Sequence, residues 1–289
     1  MTLNPLLPIM YEPIVRTALL EDLGRAGDIT ADAIAPAGKP STLVLRARQP
    51  GVVAGLDIAR CAFQLVSPAV TLNAERPDGS AVAPGEIIAT IEGSARGLLT
   101  GERTALNFLC HLSGVATATA SLVAAAQGTK AQIVCTRKTT PGLRALEKYA
   151  VRAGGGGNHR FGLDDAMLIK DNHIALAGGI RTAIERAKAH AGHLVKIEVE
   201  VDTLAQLEQA LSLGVDAVLL DNMTVEELKQ AVAMTAGKAI TEASGRITAA
   251  TAKAIAATGV DLISAGWITH SPAALDIGLD YSELKRQAA

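Results

Sequence analysis

One repeated theme, running from about residue 130 to residue 266, limits the fold of this chain more than any other feature. A short apolar run ends in a polar or charged residue: QIVCTRK, AMLIKDNH, KIEVEVD, AVLLDN, AITEASG and DLISAG. Stretches with helical spacing lie between them, such as LAGGIRTAIERAKAHAG, LAQLEQALSLG, TVEELKQAVAMTAG and TAATAKAIAATG. The polar ends fall at Lys138, Lys170, Glu200, Asp221, Ser244 and Ser264, separated by 32, 30, 21, 23 and 20 residues. Strand–helix alternation at this spacing predicts parallel strands joined by crossover helices. Six or seven such units predict an α/β fold, an incomplete TIM-like barrel, with its chemistry at the C-terminal strand ends.

The N-terminal part reads differently. Residues 10–23 space Ile14, Val15, Ala18, Leu19 and Leu23 on one helical face. GRAGDITADA follows as a loop in which Asp28 or Thr30 can cap the next element. TLVLRARQPGVVAG reads as two short strands broken at Pro50-Gly51, LDIARCAFQLV as a helix, and VTLNAE and EIIATIEG as strands. This predicts a smaller α+β domain over residues 1–105 and a barrel domain over 106–274, with the tail 275–289 assigned to the first. VAPGEIIATIEG resembles the hairpin of biotinyl and lipoyl domains but has no lysine in its turn, so it reads as scaffold. Residues 104–129 carry no charged side chain, yet Asn107, His111, Ser113, Gln127 and several threonines punctuate them. A buried helix pair is expected there, and no membrane span.

Composition removes other classes. The net charge is −2 and aromatic residues are 2%, so neither a basic excess nor a stacking platform for nucleic acid is present. Cys61, Cys110 and Cys135 are odd in number and form no C-x-x-C pattern, which fits a reduced, cytoplasmic protein. MTLNPLLPIMYEP shows no signal peptide.

Against that background, residues 135–173 hold Arg137, Lys138, Arg144, Lys148, Arg152, Arg160 and Lys170, seven of 27 Lys and Arg within 39 of 289 residues. Such a concentration predicts a pocket for small polyanions. Arg137 and Lys138 are expected to end the first barrel strand, pointing to opposite faces. The run Gly154–Gly157 lacks the Lys-Ser/Thr of a P-loop; it delivers Asn158, His159 and Arg160 together. A guanidinium at Arg160 can grip a carboxylate or phosphate through two hydrogen bonds, while His159 is equally a structural or a ligand-binding residue. Lys170 suits an anion contact, or a Schiff base. IEVEVD places Glu198, Glu200 and Asp202 on one face, and Asp221 ends the next strand. Carboxylates at adjacent strand mouths can hold magnesium together with substrate phosphates, or steady the lysines. Ser244-Gly245 and Ser264-Ala265-Gly266 precede helices, where backbone N–H groups bind phosphate.

TRKTTPGLR, GGGNHRFGLDDAMLIKDNH, IEVEV, LLDNM and the EASG…THS ending together resemble the quinolinate phosphoribosyltransferases, from LLEDLGRAGDIT to SPAALDIGLD. The resemblance implies an open α/β N-terminal domain, an incomplete barrel, and a homodimer or larger homo-oligomer. It implies Mg2+ and the substrates quinolinate and 5-phosphoribosyl 1-pyrophosphate (PRPP). The products would be nicotinate mononucleotide, pyrophosphate and CO2. Position by position it assigns the quinolinate carboxylates to Arg137, His159, Arg160 and Lys170, with Lys138 near both substrates. Arg103 would enter the neighbouring subunit's site, and Glu200 and Asp221 would face ribose and metal, with Lys138, Glu200 and Asp221 catalytic. Ser244, Gly245, Ser264, Ala265 and Gly266 would form the phosphate loops, with Thr136, Arg246 and His270 also at the substrates. Arg246, Trp267 and Cys135 depart from the family, which often has a glycine, a small residue and an acid there. Arg246 either adds a phosphate contact or narrows the loop; Trp267 is read as filling space.

Overall fold

The computed structural model describes residues 3–281. It divides into two compact units. One comprises the chain up to Ala120, Thr140–Gly155 and the chain from Ser271 on; the other comprises Ser121–Thr139 and Gly156–His270. The first boundary falls at Ala120 and not at the expected residue 105, and Thr140–Gly155, expected in the barrel domain, belongs to the first unit. The C-terminal strand Ile277–Tyr281 belongs to the first unit, to which the tail is assigned, and the tail beyond Tyr281 lies outside the described residues.

The first unit contains α1 (Glu12–Leu23), α2 (Ile29–Ile34), β1 (Pro40–Ala47), β2 (Gly51–Val52), α3 (Leu56–Val66), β3 (Thr71–Ala74), β4 (Ala81–Val82), β5 (Ile87–Ser94), most of α4 (Ala95–Ala125) and α5 (Arg144–Ala153). The stretch read as a loop after α1 includes α2, because the Asp28 carboxylate accepts the Ala31 N–H at 2.8 Å and so caps it. An antiparallel sheet orders β3, β5, β1 and the C-terminal strand Ile277–Tyr281. Phe63, Ile58, Ile88, Ile91 and Leu98 are among its fully buried side chains. The uncharged stretch is one helix, not a pair: α4 runs unbroken to Ala125. By length and composition α4 could cross a bilayer, but half of its most apolar window is buried inside the protein. Gly101 and Gly114 within it allow close approach; a Cβ at Gly101 would lie 2.8 Å from Phe63 Cδ1.

The second unit is the repeat: β6 (Gln132–Val134), β7 (Met167–Ile169), α6 (Asp171–Ala177), α7 (Ile180–His190), β8 (Ile197–Val201), α8 (Leu204–Ser212), β9 (Ala217–Asp221), α9 (Val225–Thr235), β10 (Ile240–Ser244), α10 (Ala249–Ala256), β11 (Leu262–Ser264) and α11 (Trp267–His270). All six strands are parallel, in the order β6-β11-β10-β9-β8-β7. Thr203, Thr224 and Thr248 each start a helix, their hydroxyls accepting from the N–H three residues on. The helical stretch expected from Leu176 is broken near its start, because Gly178 and Gly179 take φ of 86° and 138°: Leu176 and Ala177 end α6, and α7 begins at Ile180.

Side chains alternate along the strands. Registered partners place Glu200, Leu219, Glu242 and Leu262 in one row, with Asp221 and Ser244 paired above it. Laid flat, six strands would hold their outer pair roughly 24 Å apart. Residues that follow both outer strands nevertheless line one cavity, so the sheet curls into an open barrel. On the free edge of β6, Val134 makes a parallel bridge with Gly157, so the last glycine of the run closes part of the seam.

Candidate active site

At the C-terminal ends of these strands lies a cavity of about 380 Å³. Thr136, Arg137 and Lys138 come from the loop after β6, His159 and Arg160 from the segment after the glycine run, and Lys170 from the end of β7. Glu200, Asp221, Glu242, Ser244 and Ser264 come from β8 to β11. A larger concavity, about 440 Å³, includes Lys130, Lys196, Asp216 and Asp261. Four of its five charged groups, the fifth being Lys238, pair with one another within the unit, Lys130 with Asp261 and Lys196 with Asp216, each at 2.6 Å. The polar mouth is therefore the better candidate.

Arg137 and Lys138 do not end a strand: β6 stops at Val134, and Arg137 lies at a bend where Thr139 N–H reaches the Arg137 carbonyl. Strand alternation therefore does not apply, and both side chains line the same cavity. Lys138 is held by its backbone. Its N–H donates to Thr136 Oγ1 at 3.0 Å and its carbonyl accepts from Thr269 Oγ1 at 2.7 Å. A Cβ at Gly266 would lie 2.9 Å from Lys138 Cδ, so glycine there makes room for the lysine stem. Lys170 Nζ pairs with Glu200 Oε2 at 2.6 Å. Its N–H donates to His173 Nδ1 at 2.9 Å, which gives the KDNH sequence a role in starting α6.

Burial, and then the neighbouring Arg137 guanidinium, hold the pKa of Arg160 below the usual arginine value. Like charges crowded this way favour an incoming anion. Arg160 Nη1 donates to the Ala166 carbonyl at 3.0 Å, which fixes part of the fork. His159 is not presented as a free donor. Its Nδ1 accepts the Arg160 N–H at 2.7 Å and its Nε2 lies 2.9 Å from Glu198 Oε2. Because Nδ1 is the acceptor, Nε2 carries the proton and Glu198 receives it.

Glu242 lies 3.6 Å from His159 Nε2 and is 1% exposed. His159, Glu198 and Glu242 cluster tightly enough to suggest a metal site. The tautomer argues against one, since Nε2 has no lone pair to offer. Among the described residues, no hydrogen bond reaches either Glu242 oxygen or Ser264 Oγ. Burial first, and the Glu198 carboxylate second, push the Glu242 pKa up to about 7.

The chain matches the family models for the quinolinate phosphoribosyl transferase N-terminal domain over residues 28–113 and the C-terminal domain over residues 115–280. The chain belongs to the quinolinate phosphoribosyltransferase family. It is 46% identical over 273 residues to the nicotinate-nucleotide pyrophosphorylase [carboxylating] of Mycobacterium leprae, covering 92% of this chain and 95% of that protein. A Bacillus subtilis relative described as a probable nicotinate-nucleotide pyrophosphorylase [carboxylating] is 44% identical, covering 94% and 93%. The crystal structure of NadC from Streptococcus pyogenes superimposes with a TM-score of 0.92 at 41% identity, covering 97% of this chain and 100% of that one.

Not every residue assigned through the quinolinate phosphoribosyltransferase motifs lines the cavity. Arg103 is exposed on α4 in the first unit, and from the cationic stretch Arg144, Lys148 and Arg152 lie on α5 in that same unit, Arg152 exposed, Arg144 half-buried and Lys148 buried. Gly245, Arg246, Ala265, Gly266 and His270 are in the second unit but outside the lining. The Ala265 N–H is already used by the Val134 carbonyl at 3.1 Å. Gly245 has φ 100°, and a Cβ there would meet the Asn222 backbone N at 3.0 Å. Arg246 is exposed and adopts φ 43°, a left-handed conformation that costs a non-glycine residue about 1 kcal/mol. Trp267 does more than fill space: its Nε1 donates to the Ile247 carbonyl at 2.8 Å, tying the loop after β11 to the loop after β10.

Glu242 was missed in the sequence, and Glu198 was seen only as part of a charged face. Both have a simple signal: each lies two residues before a polar strand end, Glu200 or Ser244, and so shares its face. For a divalent ion, Glu200 and Asp221 offer the hard oxygen donors that magnesium favours. Asp221 Oδ2 also accepts from Asn222 Nδ2 at 2.5 Å, and Glu200 is shared with Lys170. Two carboxylates fit an ion whose other ligands are substrate oxygens and water.

Proposed function

We propose that this chain transfers the phosphoribosyl group of PRPP to quinolinate and decarboxylates the product, giving nicotinate mononucleotide, pyrophosphate and CO2 in de novo NAD synthesis. The observation that carries the reading is the convergence of Arg137, Lys138, Arg160 and Lys170 with Glu200 and Asp221 on one cavity. A pyridine dicarboxylate and a pyrophosphorylated sugar phosphate bring many negative charges together, and four cations offset them. Arg137, Arg160 and Lys170 take the quinolinate carboxylates. Lys138 takes the region where both substrates meet, and the turns after Ser244 and Ser264 take phosphate.

The ring nitrogen attacks the anomeric carbon as the bond to pyrophosphate breaks, its electrons leaving with the oxygen. Glu200 or Asp221 steadies the oxocarbenium-like ribose, and Lys138 neutralises the leaving group. The ring nitrogen is now cationic. The bond from the adjacent ring carbon to its carboxylate breaks, CO2 departs, and the electron pair stays on that carbon until a proton arrives. No protein nucleophile is needed; positioning and fixed charge do the chemistry. Mg2+ held by Glu200 and Asp221 would neutralise pyrophosphate charge.

A homodimer or larger oligomer, with Arg103 reaching the neighbouring site, completes the proposal. The absence of a disulfide among the three cysteines, all of them described residues, supports a reducing, cytoplasmic setting. A Schiff-base reading of Lys170 is less well supported, since its Nζ is committed to Glu200. Release of labelled CO2 from quinolinate only when PRPP is present is the expected result. Release without PRPP, or none with it, would overturn the proposal.

A further inference from the structure

The four cations that face the substrate rest on a polar layer that the reaction does not use directly. His159 spans it. One ring nitrogen receives the Arg160 main-chain N–H at 2.7 Å, and the other donates to Glu198 at 2.9 Å. Glu242 lies on the far side of that donor, its Oε2 3.6 Å away, and no hydrogen bond reaches either of its carboxyl oxygens among the described residues. Glu198 and Glu242 are 8% and 1% exposed, too enclosed to be a general rim of negative charge. The geometry points to Glu198 and Glu242 as positioning residues for quinolinate. Glu198 locks the His159 ring, and through it the Arg160 main chain, while Glu242 must remain uncharged for the anion to be held.

The proposal rests on the quinolinate reading of the site. Glu198 acts as an acceptor, so what matters is an oxygen at the end of that side chain, not its charge. Glu242 acts by its charge. Glu198 from β8 and His159 from the segment beside β6 face it, with the Ser264 hydroxyl from β11. The other charged groups lining the cavity are Arg137, Lys138, Arg160, Lys170, Glu200 and Asp221. Burial and Glu198 favour its protonated form near neutral pH. Ionisation would put a negative charge under a dianion and weaken its binding.

Steady-state kinetics of the full chain, with each substrate varied in turn from pH 6 to 8.5, tests this. Glu198→Met should raise the KM for quinolinate about 10-fold, the usual weight of a lost buried hydrogen bond, without moving the KM for PRPP. Glu198→Gln, which keeps an acceptor oxygen, should recover most of that loss. In the unsubstituted chain the quinolinate KM should climb several-fold as pH rises through 7, and Glu242→Gln should flatten that climb. Equal effects of Glu198→Met on both KM values would reduce Glu198 to a structural prop and overturn the proposal. So would an unchanged slope in Glu242→Gln. Should Glu198→Met fail to fold, the slope of the isosteric Glu242→Gln decides alone. Absence of PRPP-dependent quinolinate turnover in the unsubstituted chain would sink both readings, whereas normal turnover with unaltered variants sinks this one only.

Discussion

Glu242→Gln should make the protein more stable at alkaline pH and change it little in acid. The carboxyl is buried, and its pKa rises from 4.5 to about 7 on folding. The folded state therefore binds this proton more tightly than the unfolded chain does. The stability contributed by the proton is complete below the unfolded value of 4.5 and is lost as pH rises through about 7. The difference between those two values, at about 1.4 kcal/mol per unit, amounts to roughly 3 kcal/mol. Glutamine copies the shape of the neutral acid and does not ionise. Subtracting the unfolding free energy of the unsubstituted chain from that of the variant should give a value near zero at about pH 4 and about 1 kcal/mol at about pH 5. The same difference should reach about 3 kcal/mol in favour of the variant by pH 8.5. Urea unfolding at several pH values measures it, and contributions from other groups cancel in the subtraction. A difference that does not vary with pH, or one that disfavours the variant at pH 8.5, would show that Glu242 is ionised in the folded protein.

Arg160→Ala should raise the KM for quinolinate by 10-fold or more while leaving that for PRPP within about two-fold, because a charge-assisted contact to a carboxylate is lost; an unchanged quinolinate KM refutes the assignment. Arg103→Ala and Lys138→Ala chains should each be nearly inactive alone. After subunit exchange they should regain about a quarter of full activity, since half of random dimers are mixed and one of their two sites is intact. No recovery in exchanged samples refutes a site shared across the dimer.

The barrel was legible because short apolar runs end in polar residues at regular spacing, with stretches of helical spacing between them. Three of the six expected strand ends, Asp221, Ser244 and Ser264, are the final residues of β9, β10 and β11. The first strand was overextended because QIVCTRK continues without a proline or glycine, yet its pairing with β11 and Gly157 ends before Thr136. The cationic stretch was read as one group, but three of its seven members sit on α5 in the other unit. Charge density along a chain does not say where a crossover leaves the barrel. Glu242 was passed over because AITEASG was read for its serine end, and Glu198 was counted only as one acid of the IEVEVD face; what the sequence did not show is their burial beside His159.

The bond from the Trp267 indole to the Ile247 carbonyl yokes two turns that a sequence reader would treat as separate. A ligand that draws in one turn drags its neighbour with it, so a single aromatic ring makes the two turns respond as one jaw. Replacing that tryptophan with a residue lacking the indole proton would uncouple them and let each answer its own part of the ligand.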